Sequence, residues 1–218
     1  DMVDRIVQKC RCKANLFFEI KKRREDGLHE LESLFYPLES PCDYMYIYPG
    51  GSESGLRVTC SLPALEDDNI LHTTYRTFVE KTGLSPGIYL HLQKNIPIGA
   101  GLGGGSSNAA SLLQYLWESS QDYLQAMDLN INEIALSLGS DVPFFLYDSP
   151  AWVSGVGEKI EPLEIDLSGL YLLVVCPDIF ISTAQAYKAW DDGKNKRKCL
   201  SETQSLLTRE GNSNIKKT

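Results

Sequence analysis

Apolar and polar residues alternate through RIVQKCRCKANLFFEIKKR, YMYIYP and LRVTCS, the period-two pattern of half-buried strands. Asp26-Gly27 marks a turn after the first of these, and the stretch GGSESG joins the other two. The period then changes. Asp67 and Asp68 open a segment that carries Asn69, Ile70, Tyr75, Phe78 and Val79 at helical intervals and stops at Gly83. GIYLHLQK returns to a strand pattern. SNAASLLQYLWESS sets Ala109, Leu112, Leu113, Leu116 and Trp117 on one helical face, and INEIALSLGSD reads as a second helix. The apolar runs VPFFLY and GLYLLVVCP are expected to be strands, with a turn-rich stretch near SGVGEK between them, and ISTAQAYKAW a short helix. From Asp191 the chain turns polar and basic, and no internal repeat is visible. Runs of strands followed by runs of helices argue an α+β domain over residues 1–155. The elements expected over 156–218 are too few to close a core of their own, so a partial second domain of α/β type is expected there.

Composition narrows the picture without changing it. With 43% hydrophobic and 23% charged residues, the 218-residue chain reads as an ordinary soluble globular protein. A net charge of −8 argues against general affinity for nucleic acid or an anionic membrane. No apolar run approaches the ~20 residues of a bilayer span, and DMVDRIVQKC lacks a signal-like apolar centre, so a cytoplasmic location is expected. Six scattered cysteines (Cys10, Cys12, Cys42, Cys60, Cys176 and Cys199) fit reduced, partly buried thiols. Cys10 and Cys12 lack the second pair that a metal site needs.

The chemistry concentrates between Pro97 and Ala110, which reads PIGAGLGGGSSNAA. Glycine costs backbone entropy, so such a run argues close approach of bare main chain to a ligand. A helix start directly behind it, with Ser106 or Ser107 as N-cap, points to anionic oxygens. Gly99 to Gly104 has the Walker A spacing, but Gly105 and Ser106 follow where Lys and Ser or Thr are required. Gly99, Gly101 and Gly104 also satisfy the dinucleotide fingerprint. Pro97 interrupts the approach, however, and no acidic residue closes a following strand. A third kind of phosphate loop remains.

That loop resembles the second signature of the galactose, homoserine, mevalonate and phosphomevalonate kinase superfamily, over fourteen residues. The resemblance implies a two-domain small-molecule kinase fold and ATP bound through the backbone of Pro97, Ile98, Gly99, Ala100, Gly101, Leu102, Gly103, Gly104 and Gly105. KANLFFEIKKRREDGLHEL and GSDVPFFL resemble two further motifs of one branch, the 4-diphosphocytidyl-2-C-methylerythritol kinases, in the right order. The implied reaction is ATP-dependent phosphorylation of the 2-hydroxyl of the diphosphocytidyl sugar alcohol, in non-mevalonate isoprenoid biosynthesis. Arg24 to His29 argues against a homoserine or mevalonate type, and an inert nucleotide-binding remnant is the alternative from another class.

On residues alone, Asp141 could be a helix-end turn aspartate and Lys13 an exposed strand lysine. By resemblance Asp141 matches the catalytic base and Lys13 its partner, a division of labour that phosphoryl transfer can use. His29 matches the histidine that reads the cytosine ring. Asn15, Phe35, Thr183 and Tyr187 match other positions of the substrate pocket. Leu28 departs from the aromatic residue usual there. Asn69 and Lys94 align with residues beside the adenine; each could equally be a helix cap or a solvated charge. Ser106 and Ser107 could ligate Mg²⁺ or hydrogen-bond phosphate. No dedicated Mg²⁺ cage is visible, which fits a metal carried by ATP oxygens and water. A monomer or weak homodimer with a small-molecule substrate is implied. Nothing matches the superfamily's third, glycine-rich signature, so the second domain is expected to be incomplete.

Overall fold

Two long strands organise the molecule, β1 (Ile6–Arg23) and β2 (His29–Pro49). The computed structural model describes residues 5–50, 55–67, 69–147, 149–167, 169–177, 183–193 and 215–217. The strands meet at the expected turn. Gly27 takes φ 86°, the Arg24 amide donates to the Leu28 carbonyl at 2.7 Å, and the Asp26 carboxylate accepts from the Leu28 amide at 3.0 Å. Glycine supplies the left-handed conformation and aspartate the local acceptor, the reason this pair makes turns. The chain continues through β3 (Leu56–Cys60), a 3₁₀ turn (Pro63–Leu65), α1 (Ile70–Thr82), β4 (Ile88–Gln93), α2 (Gly104–Ser119), α3 (Gln121–Leu124) and α4 (Ile131–Leu138). After these come α5 (Phe144–Tyr147), β5 (Ala151–Gly155), β6 (Lys159–Ile165), α6 (Thr183–Asp191) and β7 (Ile215–Lys217).

Contacts divide the chain into two units that interleave in sequence. The first comprises Asp1–Lys13, Leu38–Ile98 and Leu102–Asp148; the second comprises Ala14–Pro37, Gly99–Gly101 and Ser149–Thr218. The units are not consecutive segments because β1 and β2 each supply residues to both.

In the first unit β4 lies between β3, which it pairs in parallel, and β2, which it pairs antiparallel with Ile47 opposite Leu90. A parallel pair cannot be joined by a tight turn, and α1 makes the crossover. Met45, Ile47, Leu90 and Leu92 from the sheet are buried with Leu71 and Phe78 of α1, Leu112, Leu113 and Leu116 of α2, and Ile134 of α4. These are the alternating strand positions and the one-face helix positions that the sequence pattern marks. Truncating any of the α2 leucines to alanine would open a cavity costing about 2–5 kcal/mol. In the second unit β5 lies between β2 and β6, both antiparallel to it, and Phe17, Leu34 and Leu163 form a small core with Trp152.

Two apolar runs differ from expectation. VPFFLY is not a strand: Val142 and Phe144 are buried, and hydrogen bonds donated by the Phe145 amide to the Val142 carbonyl and by the Leu146 amide to the Pro143 carbonyl wind the run into a helical turn, α5. Pro143 presets φ for that turn, and a short apolar run has no periodicity with which to announce it. The run 170–175 also forms no strand over its described residues. Leu170, Tyr171, Leu173 and Val175 are exposed, and a strand exists only where a neighbour takes its amides and carbonyls. Asp68, expected near the opening of α1, and Cys199 lie outside the described residues.

Cys10, Cys12 and Cys60 are buried free thiols, Cys42 is half-buried and Cys176 exposed. Burial pushes the Cys10 thiol up to about 11. Among the described residues no helix is long and apolar enough to cross a membrane.

Candidate active site

The glycine loop joins β4 to α2 with left-handed glycines at alternate positions: Gly99 φ 71°, Gly101 φ 72° and Gly103 φ 71°. The sequence pattern led to Ser106 or Ser107 as N-cap. Instead α2 begins at Gly104 with Gly103 in the capping position, and no side chain caps it. The first helical bond is donated by the Ser107 amide to the Gly103 carbonyl at 2.9 Å. The amides of Gly104, Gly105 and Ser106 therefore precede the ladder at the positive end of the helix dipole. A serine cap would have occupied one of those donors; glycine leaves them to a ligand. Ser106 is half-exposed in this first turn and Ser107 is buried.

Gly103 is held by sterics as well as by its φ. A Cβ there would stand 2.8 Å from Phe145 Cζ and 3.2 Å from Lys13 Cγ, whereas at Gly105 nothing lies within 4 Å. Gly103→Ala is therefore expected to cost about 1–3 kcal/mol through left-handed strain alone. A fall in melting temperature of several degrees checks this. Gly105→Ala, in helical backbone with open space, should leave the melting temperature unchanged or raise it.

Beside Gly103 lies an ion pair. Lys13 Nζ is 3.4 Å from Asp141 Oδ2, and the Lys13 amide donates to the Leu102 carbonyl at 3.0 Å. Lys13 is only 5% exposed although it is a lysine in a strand, so the surface-lysine reading does not describe it. Asp141 sits in the turn between α4 and α5, where the Val142 amide donates to the Gly139 carbonyl at 3.1 Å. Buried Val142 anchors that turn, while the Asp141 side chain keeps 31% of its surface open. The result is an accessible carboxylate beside a buried ammonium, next to a helix start with free amides.

Behind the loop the ammonium of Lys94 is not solvated. It donates to Asp43, the carboxylate of which is fully buried, and to Asn108 Oδ1 at 3.0 Å. Asp43 also accepts from the amides of Asn95 (2.7 Å) and Ile96 (2.9 Å) and from Asn108 Nδ2 (3.0 Å). This network joins β2, the exit of β4 and the second turn of α2. A Cβ on Gly104 would meet Ile96 Cγ2 at 3.0 Å and Lys94 Nζ at 3.3 Å. Asn69 proves to be the N-cap of α1: its Oδ1 accepts from the Leu71 amide at 2.8 Å, and its Nδ2 donates to the Leu65 carbonyl.

The second unit holds a different cluster. His29, the first residue of β2, stacks on Tyr187 of α6 with ring centroids 4.6 Å apart and an interplanar angle of 20°. The ring of Trp190 stands perpendicular to that of His29, with centroids 5.6 Å apart. His29 Nε2 lies 2.8 Å from Asp191 Oδ1, and Asp191 Oδ2 lies 3.5 Å from Arg23 Nη1. Asn15 donates to Ser33 Oγ at 2.9 Å, and Ser33 in turn donates to the Phe17 carbonyl. Phe35 is buried, opposite Ala151 of β5. Leu28 is 53% exposed. Thr183 opens α6, with its side chain outside the described residues.

Comparison with known proteins agrees with these motifs. Residues 69–149 match the family model described as GHMP kinases N terminal domain. A 4-diphosphocytidyl-2-C-methyl-D-erythritol kinase of Oleidesulfovibrio alaskensis is 44% identical over 83% of this chain and 54% of its own length. The kinase of that name from Nitratidesulfovibrio vulgaris is 39% identical over 90% of this chain and 68% of its own length. The chain belongs to the 4-diphosphocytidyl-2-C-methyl-D-erythritol kinase family. A crystal structure of a 4-(cytidine 5'-diphospho)-2C-methyl-D-erythritol kinase matches with a TM-score of 0.61 at 34% identity, over 77% of this chain and 61% of that one. The chain thus spans roughly half to two thirds of the length of these relatives. The expected kinase-superfamily fold is the one observed.

Three polar residues of this family member were not singled out from sequence, though each left a signal. Asp43 shares strand parity with Met45 and Ile47, so CDYMYIY places it on the buried face. Asn108 lies one turn before Leu112 on the buried face of α2. Asp191 follows Tyr187 by four residues, which puts both on one side of α6.

Proposed function

We propose that this protein catalyses transfer of the γ-phosphoryl group of ATP to the 2-hydroxyl of 4-diphosphocytidyl-2-C-methyl-D-erythritol. The observation that carries the reading is the Lys13–Asp141 pair set against Gly103, at a helix start with uncapped amides. The family membership supports the choice of substrate.

The backbone from Pro97 to Gly105, with Ser106 and Ser107, cradles the triphosphate through main-chain amides and hydroxyls. Lys94 and Asn69 serve the nucleotide side indirectly, the first by pinning the loop and the second by capping α1. Asp141 accepts the proton of the acceptor hydroxyl as that oxygen bonds to the γ-phosphorus, and the bond to the β-γ bridging oxygen breaks to release ADP. The Lys13 ammonium, 3.4 Å from the Asp141 carboxylate, stabilises the developing alkoxide. The residues present fit a Mg²⁺ brought by the nucleotide. The neutral hydroxyls of Ser106 and Ser107 stand at the helix start. Such an ion supplies charge neutralisation on the β- and γ-phosphates. In the second unit His29 and Tyr187 serve the cytosine, with Asn15, Phe35 and Thr183 completing the substrate-binding set.

Coupled ADP release by the purified protein tests this. Turnover dependent on both MgATP and the diphosphocytidyl substrate is expected. ATP binding without binding or turnover of that substrate would overturn the assignment in favour of an inert nucleotide binder.

A further inference from the structure

We propose that Asp191 sets the base selectivity of the cytidyl pocket by fixing His29 in a single tautomer. The inference rests on the reading of His29 as the base contact and goes beyond it by naming the residue that decides what His29 can recognise.

A carboxylate is an acceptor only, so the hydrogen in the 2.8 Å contact between Asp191 Oδ1 and His29 sits on Nε2. In a neutral imidazole the other nitrogen, Nδ1, is then a bare acceptor. The ring is also held in orientation. Tyr187 lies against its face, Trp190 stands perpendicular to it, and the His29 side chain is 9% exposed. Arg23 engages the second oxygen of Asp191 at 3.5 Å and keeps that carboxylate turned toward the ring. The three α6 residues stand at i, i+3 and i+4, so one helix face supplies the stack, the perpendicular ring and the acceptor together. All five residues belong to the second unit.

A fixed acceptor at the edge of the ring matches a base that presents an amino group and opposes one that presents a carbonyl oxygen. Cytosine carries the amino group at its 4-position and uracil carries oxygen there. With uracil two acceptors would face each other without a proton, the situation in which a buried polar group loses its partner. Asp191 is in this sense a positioning residue, acting through His29 as the outer partner of a metal-bound histidine acts through its ligand.

The test has two arms, both on the purified protein at pH 8. Long-range ¹H–¹⁵N correlation of His29 in the wild type should show Nε2 protonated and Nδ1 bare. Titration with CDP and UDP should show CDP preferred by about 10- to 100-fold. In Asp191→Ala the two tautomers should mix and the preference should fall to within about threefold, with ATP affinity unchanged. A wild-type proton on Nδ1, equal binding of CDP and UDP by the wild type, or an unaltered preference in Asp191→Ala overturns the role of Asp191 while leaving the cytidyl pocket in place. A wild type that binds neither CDP nor UDP overturns both this inference and the reading of the pocket. The wild-type spectrum needs no variant, so a folding defect in Asp191→Ala cannot shelter the proposal.

Discussion

Asp141→Asn is expected to lower kcat by about 10²- to 10⁴-fold, the usual contribution of a positioned general base, while ATP affinity stays within about twofold of wild type. Asparagine keeps the shape of the side chain and an oxygen that can face the Lys13 ammonium, but it cannot take up a proton. The amides proposed to hold the phosphates, those of Gly104, Gly105 and Ser106, depend on the backbone of α2, not on the turn that carries Asp141. Side-chain exposure of 31% at Asp141 also means that little packing changes. Steady-state kinetics with isothermal titration of ATP separates the two effects. A near-normal kcat would remove Asp141 from the reaction, and a parallel loss of ATP binding would make it a structural residue of the loop.

The second large effect is expected at Asp43, which has no proposed part in proton transfer. Asp43→Ala should cost about 3–5 kcal/mol of stability, a large share of the roughly 5–15 kcal/mol typical of a folded domain. The change removes the counter-charge of Lys94, the side chain of which is 6% exposed, and strips the amides of Asn95 and Ile96 of their acceptor. Each buried donor left without a partner adds its own desolvation penalty. Urea unfolding should show a lower midpoint at unchanged slope. Asp43→Asn, which retains an acceptor oxygen, should lose less. An exposed ion pair would give under about 1 kcal/mol, and such a result would mean that the network is solvated.

Much of this architecture could be read from the chain. The β1–β2 turn follows from Asp26-Gly27, the end of α1 from Gly83, and the core faces of α1 and α2 from their spacing. The failures have specific causes. VPFFLY is too short for its period to tell strand from helix, and the packing of Val142 and Phe144 decided it. GLYLLVVCP has every intrinsic feature of a strand, but pairing is a property of neighbours and cannot be inferred from the run itself. Ser106 and Ser107 satisfy the capping preference, but the helix begins two residues before Ser106, with Gly103 in the capping position. The three motifs brought Lys13, Asp141 and the loop to notice. Asp43, Asn108 and Asp191 escaped because a buried polar residue inside an apolar pattern looks like an exception until its partners are seen.

The glycine in the capping position of α2 has a thermodynamic consequence for the whole first unit. Glycine caps a helix only a few tenths of a kcal/mol less well than serine, so leaving these amides without a side-chain acceptor costs the free protein little. Under the proposed ATP-binding role an anion on those amides would add to the stability of the helix, so folding and nucleotide occupancy would be linked equilibria. The linkage adds about 2.7 kcal/mol once the ligand stands at a hundred times its dissociation constant. α2 also carries the central leucines of the core, so under that role ligand concentration would reach through one helix end to the resistance of the entire unit against opening and proteolysis.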